Sequence, residues 1–207
     1  MPSAAGEPRV GVLALQGDFA EHEAALARFG VATVQVRRPE QMRGLAALVL
    51  PGGESTTMLR LLRSEGLWEP VAAWLGSGRP VLATCAGLIL LAREVNRPRQ
   101  ESLGVLDVSV DRNGYGRQVA SGTFTLRSAA LPGPTEGVFI RAPRITRVGP
   151  SVEVLAWRES DPVLVREGPV LAACFHPELQ PEHPVTALFV AQVRARVPAS
   201  SMSPLIP

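Results

Sequence analysis

Lysine is missing from this chain: all 21 basic residues among its 207 are arginines. Without a lysine amine the chain cannot form a Schiff base, complete a Walker-type phosphate loop or run a serine–lysine pair. Cysteine is nearly as scarce. Cys85 and Cys174 are too few for a secreted disulfide framework, and the CxxC and Cys/His spacings of a structural zinc site are absent. A reducing compartment is therefore expected. No apolar segment approaches the roughly 20 residues that cross a bilayer, and Met1 to Pro8 lacks a basic stretch followed by an apolar one. Charge of either sign is also unremarkable, with a net +2 and no basic run, which speaks against a nucleic-acid or membrane-surface partner. The expectation is a soluble, cytoplasmic protein.

What is present is apolar sequence, 46% of the chain, enough for a sizeable core in a domain of ordinary length. Short apolar runs alternate with helical periodicity: Val10 to Leu15, then Phe19 to Phe29 closed by Gly30; Val31 to Val36; Ala47 to Leu50, then Ser55 to Leu62 and Leu67 to Leu75; Pro80 to Ala83, then Ala86 to Arg93. This is the pattern of a doubly wound, mostly parallel α/β sheet. From about Val105 the chain is richer in strands, with candidates at 105–110, 117–126, 137–140, 152–157 and 162–166. Val170 to Phe175 is predicted as a last strand and Pro184 to Val197 as a closing helix. Without repeats or a low-complexity linker, residues 9–197 read as one domain, flanked by a flexible N-terminus (1–8) and a loose tail (198–207).

Ala83-Thr84-Cys85-Ala86-Gly87 places a cysteine between small residues where a buried strand meets an apolar helix. That is the layout of a nucleophile elbow, in which a tight turn presents the side chain at the sheet edge. The helix N-terminus favours a thiolate, and the Ala86 N–H is placed to stabilise an oxyanion. The competing reading is a small buried core residue. Cys174, inside a strand, fits that second reading.

A thiolate nucleophile needs a base, and only His22, His176 and His183 are available. His22, between Glu21 and Glu23, reads as a solvated helix position, and His183 begins the last helix. His176 follows a strand expected in the same sheet as the elbow strand. Pro177 disfavours helical geometry at His176, and residues two apart in an extended segment face the same way, so Glu178 can reach the imidazole. A carboxylate on one ring nitrogen fixes the tautomer and leaves the other for the cysteine.

An elbow cysteine followed far downstream by His-Pro-Glu resembles the class I (triad) glutamine amidotransferases, whose fold is flavodoxin-like. Further runs are similar to one branch, the glutaminase subunits of pyridoxal 5′-phosphate synthases: Leu15-Gln16-Gly17, Arg38-Pro39-Glu40-Gln41, Leu50-Pro51-Gly52-Gly53-Glu54-Ser55-Thr56-Thr57-Met58, Arg112-Asn113, Gly116-Arg117-Gln118, Val138-Phe139-Ile140-Arg141-Ala142-Pro143 and Phe175-His176-Pro177-Glu178-Leu179. The similarity runs from about residue 9 to 195. It implies a glutamine site lined by Gly53, Glu54, Ser55, Arg112, Ile140 and Arg141, with the Gly53 backbone in the oxyanion hole beside Ala86. It also implies an ammonia-accepting synthase subunit as partner, with Gln16 near that interface, and neither metal nor cofactor. An arginine fork suits the α-carboxylate of free glutamine, although surface solubility is the ordinary role of an arginine. One departure is Ala83, where glycine is common in such elbows.

The reaction implied is attack of the Cys85 thiolate on the glutamine side-chain amide, with His176 protonating the departing ammonia and water releasing glutamate. Three alternatives stay open at this point: a class I glutaminase serving another synthase, a different cysteine hydrolase on a similar scaffold, and a degenerate scaffold that only binds a synthase.

Overall fold

The computed structural model describes residues 8–115 and 121–196. The N-terminal segment up to Glu7, the expected tail and the Gly116-Arg117-Gln118 motif lie outside them. In chain order the strands are β1 (Val10–Leu13), β2 (Thr33–Val36), β3 (Ala47–Leu50), β4 (Val81–Thr84), β5 (Ala92–Asn96), β6 (Leu106–Asp111), β7 (Gly122–Leu126), β8 (Thr135–Phe139), β9 (Arg144–Val148), β10 (Glu153–Arg158), β11 (Asp161–Glu167) and β12 (Val170–Ala173). The α-helices are α1 (Phe19–Arg28), α2 (Ser55–Ser64), α3 (Trp68–Leu75), α4 (Ala86–Leu91) and α5 (Pro184–Ala195).

β1, β3, β4 and β12 are apolar runs without alternation, and every residue in them is buried. Such runs belong to strands covered on both faces. They form the centre of a seven-stranded sheet of order β10-β11-β12-β4-β3-β1-β2. The five strands from β12 to β2 are parallel, and β10 and β11 extend them as antiparallel neighbours. The chain leaves β1 toward β2 and then returns to β3 on the other side. That reversal sends successive helices to opposite faces and opens a crevice at the C-terminal ends of β1 and β3. On the faces, α1 packs with α5 and α2 with α4.

The doubly wound, mostly parallel sheet expected from the sequence is thus present, and the strand-rich region forms two smaller sheets, β5-β6-β9 and β7-β8. Two of their strands differ from expectation. The helix predicted over Ala86 to Arg93 ends at Leu91, because Ala92 turns extended (ψ 143°) and the chain enters β5. β9, sequence RITRV, was not anticipated: two arginines on its exposed face hide the strand period. Of the strand predicted at 117–126, the described portion is β7. No helix among the described residues is long and apolar enough to cross a membrane.

Candidate active site

Cys85 sits at the N-terminus of α4, directly after β4, with φ 47° and ψ −102°. A non-glycine residue in this left-handed region is strained by about 1–3 kcal/mol, a cost that surrounding structure must impose. Here the Cys85 N–H donates to Ala173 O of β12 at 2.8 Å, and Gly87 packs so closely on Leu50 O that no side chain could replace its hydrogen. The elbow therefore forms with Ala83 in place of glycine; Ala83 lies fully buried within β4, before the strained residue. Ala86 is the first helical residue, where the N–H has no intrahelical acceptor.

β12 lies beside β4 in parallel register, so the segment after it emerges next to the elbow. His176 N–H donates to Val138 O at 2.8 Å, and Phe175 packs on Phe139 with ring centroids 5.5 Å apart, tying this segment to β8. His176 Nδ1 is 2.7 Å from Glu178 Oε1, both side chains being buried. The local geometry differs from the extended segment expected: His176 caps a short 3-10 helix, Pro177–Leu179, whose first turn brings Glu178 back to the ring.

Asp18 supplies a second carboxylate, with Oδ2 3.2 Å from the same Nδ1. Burial acts to lower the His176 pKa, but interactions with Asp18, Cys85 and Glu178 outweigh it and push it up to about 12. The hydrogen bond from His176 in turn lowers the pKa of Asp18. Nε2 of His176 is buried and makes no hydrogen bond, which leaves it for a reacting group. Asp18, His176 and Glu178 also hold three potential metal-ligand atoms within 4.8 Å of one another. The 2.7 Å spacing of Nδ1 and Oε1 is shorter than the ~3.4 Å that separates two ligands on a tetrahedral ion with ~2.1 Å bonds, and suits a shared proton.

His22 is a correction. It is buried, with 2% of its surface exposed, and its Nε2 lies 3.0 Å from Thr84 Oγ1 and 3.4 Å from Glu178 Oε2. Flanking glutamates suggested solvent, but the helix face decides: His22 shares the inner stripe of α1 with Ala25 and Leu26. Burial lowers its pKa, against an opposing pull from Glu178, which keeps the ring neutral near pH 7. His183 caps α5, accepting from Val185 N–H at 3.1 Å. Cys174 is fully buried beside Pro162 O, and burial raises its pKa.

Next to Cys85 opens a cleft of about 240 Å³, lined by Gly53, Glu54, Ser55, Cys85, Ile89, Arg112, Asn113, Ile140 and Arg141. Every residue proposed for a glutamine site lines it. Gly53 has φ 150°, which a side chain would strain, and Arg141 is left-handed like Cys85 (φ 46°). Glu54 caps α2: its carboxylate accepts from Thr56 N–H (3.1 Å), Thr57 N–H (2.7 Å) and the Thr57 hydroxyl (2.7 Å). Partial burial opposes ionisation of Glu54, but these bonds prevail and bring its pKa down to about 2. Arg112 Nη2 reaches the same carboxylate at 3.1 Å and Thr56 Oγ1 at 3.0 Å. Ser55 Oγ faces away from a role as nucleophile, donating to Gln100 Oε1 at 3.0 Å. Gln16, half-buried, accepts the Glu54 N–H at 2.8 Å, so it braces the loop that lines the cleft.

A sequence profile described as the SNO glutamine amidotransferase family matches residues 12–195. The chain belongs to this family. Among its relatives, the pyridoxal 5′-phosphate synthase subunit PdxT of Thermotoga neapolitana is 50% identical over 187 residues, covering 90% of this chain and all of the relative. PdxT of Acidothermus cellulolyticus is 51% identical over 197 residues, covering 91% and 95% respectively. A crystal structure titled as a glutamine amidotransferase superposes with TM-score 0.83 at 48% identity, covering 89% of this chain and 98% of that one. A chain of the PurLQS structure from Thermotoga maritima shares the fold alone, at TM-score 0.68, 16% identity and coverage of 92% and 99%. The architecture is the class I amidotransferase fold that the sequence resemblance implied.

Family membership makes the chain a glutamine amidotransferase. Read from sequence alone, Asp18 and Thr84 had no role at the site and His22 was placed in solvent. Only His22 carried a readable signal, the buried stripe of α1, whereas Asp18 is a lone carboxylate in a turn.

Proposed function

We propose that Cys85, His176 and Glu178 are the catalytic triad of a glutaminase subunit, and that the cleft beside Cys85 binds L-glutamine. The observation that carries this reading is the cleft lining, where Cys85 meets Arg112, Arg141 and the Gly53–Ser55 loop in one small polar space. Free glutamine is a zwitterion with an amide at its far end. The arginines suit its α-carboxylate, ionised Glu54 suits its ammonium, and the amide then points toward Cys85.

The Cys85 thiolate attacks the amide carbonyl carbon, and the oxyanion so formed is held by the N–H of Ala86 and the Gly53 backbone. Collapse of the tetrahedral intermediate breaks the C–N bond as the His176 imidazolium gives its Nε2 proton to the departing nitrogen. Water, deprotonated by the same imidazole, attacks the thioester and releases glutamate and the thiol. Glu178 keeps the ring oriented and offsets its charge throughout.

The ammonia passes to a pyridoxal 5′-phosphate synthase subunit, the assembly that the names of the PdxT relatives describe. A lysine-free chain agrees with this division of labour, since imine-forming carbonyl chemistry must then reside on the partner. Gln16, bound to the loop amide at Glu54, is proposed to lie near the partner interface. Residues 9–197 act as one glutaminase domain, and the compartment is the cytoplasm.

The test is glutamine hydrolysis measured with the complete chain alone and mixed with its cognate synthase subunit. Hydrolysis is expected in the mixture together with pyridoxal phosphate formation from glutamine. A mixture that forms the product from ammonium salts but never from glutamine would refute the assignment.

A further inference from the structure

The mechanism above uses one oxygen of Glu178 and leaves the other unexplained. Oε2 is buried and makes no hydrogen bond, an arrangement that is costly unless a donor is close. His22 Nε2 stands 3.4 Å from it. The same nitrogen is 3.0 Å from Thr84 Oγ1, and Thr84, fully buried, is the last residue of β4 and the immediate neighbour of Cys85. One imidazole on α1 therefore touches both the turn that carries the nucleophile and the acid that orients its base. These groups reach the site from three separate segments, at residues 22, 84 and 178, and His22 stands where they meet.

Its charge state fits this task. Burial is the largest influence on His22 and disfavours a charged ring; His176 acts in the same direction, and the nearby Glu178, Asp18 and Glu21 pull the other way without prevailing. A neutral ring with hydrogen on Nε2 offers one N–H between a hydroxyl oxygen and a carboxylate oxygen.

We propose that His22 is a positioning residue of the glutaminase reaction, whose Nε2–H holds the triad acid Glu178 in place relative to the Thr84–Cys85 elbow. This rests on the triad assignment, and the experiment separates the two. His22→Met fills the space without a donor, and His22→Gln returns an N–H near the position of Nε2. Both are assayed as complete chains with the cognate synthase subunit, beside Cys85→Ala.

For His22→Met, kcat for glutamine is expected to fall about 10- to 100-fold, while KM stays within about twofold because His22 does not line the cleft. His22→Gln is expected to recover most of the loss. The pH profile of Cys85 alkylation by iodoacetamide is expected to shift by about 0.5 unit or more in the Met variant and to return in the Gln variant. Should the His22 variants fail to fold, Thr84→Val carries the test, with a kcat several-fold lower at unchanged KM. A Met-variant kcat within twofold of the parent, equal losses in Met and Gln, or an unaffected Thr84→Val in that last case would overturn the role of His22. Hydrolysis by Cys85→Ala would instead overturn the triad.

Discussion

The two sides of the cleft are built by different means. On the side of the proposed triad, Cys85, His176 and Glu178 are all buried, and the segments that carry them are set by backbone: β4 and β12 lie in register, Cys85 N–H is held by Ala173 O, and His176 N–H by Val138 O. On the side of the proposed substrate cleft, Arg112, Glu54 and Arg141 are at least partly exposed, and Arg112 is held by side-chain bonds to Glu54 and Thr56 that water or a ligand can exchange. Order at the reacting atoms therefore comes with the fold. Order at the lip of the cleft comes with whatever occupies it.

If that division is right, disturbing the buried side should act on turnover. Glu178→Gln keeps the shape but removes the charge that balances the imidazolium, and kcat is expected to fall by about 10³-fold or more, as for the acid of other triads. A loss below tenfold in steady-state assays would mean that Asp18, 3.2 Å from the same Nδ1, serves as the working carboxylate.

Disturbing the exposed side should act on binding. Arg112→Ala removes a charged donor to a substrate carboxylate, worth about 1.5–3 kcal/mol, so KM for glutamine is expected to rise roughly 10- to 100-fold with a smaller change in kcat. Equal falls in kcat and kcat/KM would place Arg112 among the groups that act only in the transition state.

The smallest effect concerns stability. Glu54 is bound at about 2 against an ordinary value of 4.5. Because its folded pKa is depressed, its contribution is complete above about pH 4.5 and is lost as pH falls toward 2. The melting temperatures of the parent and Glu54→Gln are expected to differ at pH 6 and to converge near pH 2. The difference should be small, as the side chain is about half exposed (48%). A gap that persisted at pH 2 would assign the cap to the carboxamide shape instead of the charge.

The buried side was also the more legible in sequence. Short apolar runs such as ALVL read as strands covered on both faces, and a cysteine among small residues after such a run reads as a tight turn, with a buried core position as the competing reading. His176 and Glu178 are two residues apart, so their meeting needed no tertiary knowledge, even though a 3-10 turn brings it about. The pairing of Arg112 with Glu54 spans 58 positions and depends on the second sheet, which no local pattern reports. His22 was misread for a related reason: its neighbours in sequence are acids, while its neighbours in space are Thr84 and Glu178.

The order of strands carries one more consequence. Among the described residues β12 is the last strand in sequence, yet it lies inside the sheet between β4 and β11. The residues that hold the Cys85 turn and the proposed base, Ala173 and His176, therefore come from the end of the chain, far in sequence from Cys85 itself. A chain cut before this strand would lose the acceptor for the Cys85 N–H together with the proposed base, so the proposed site depends on nearly the whole length of the domain.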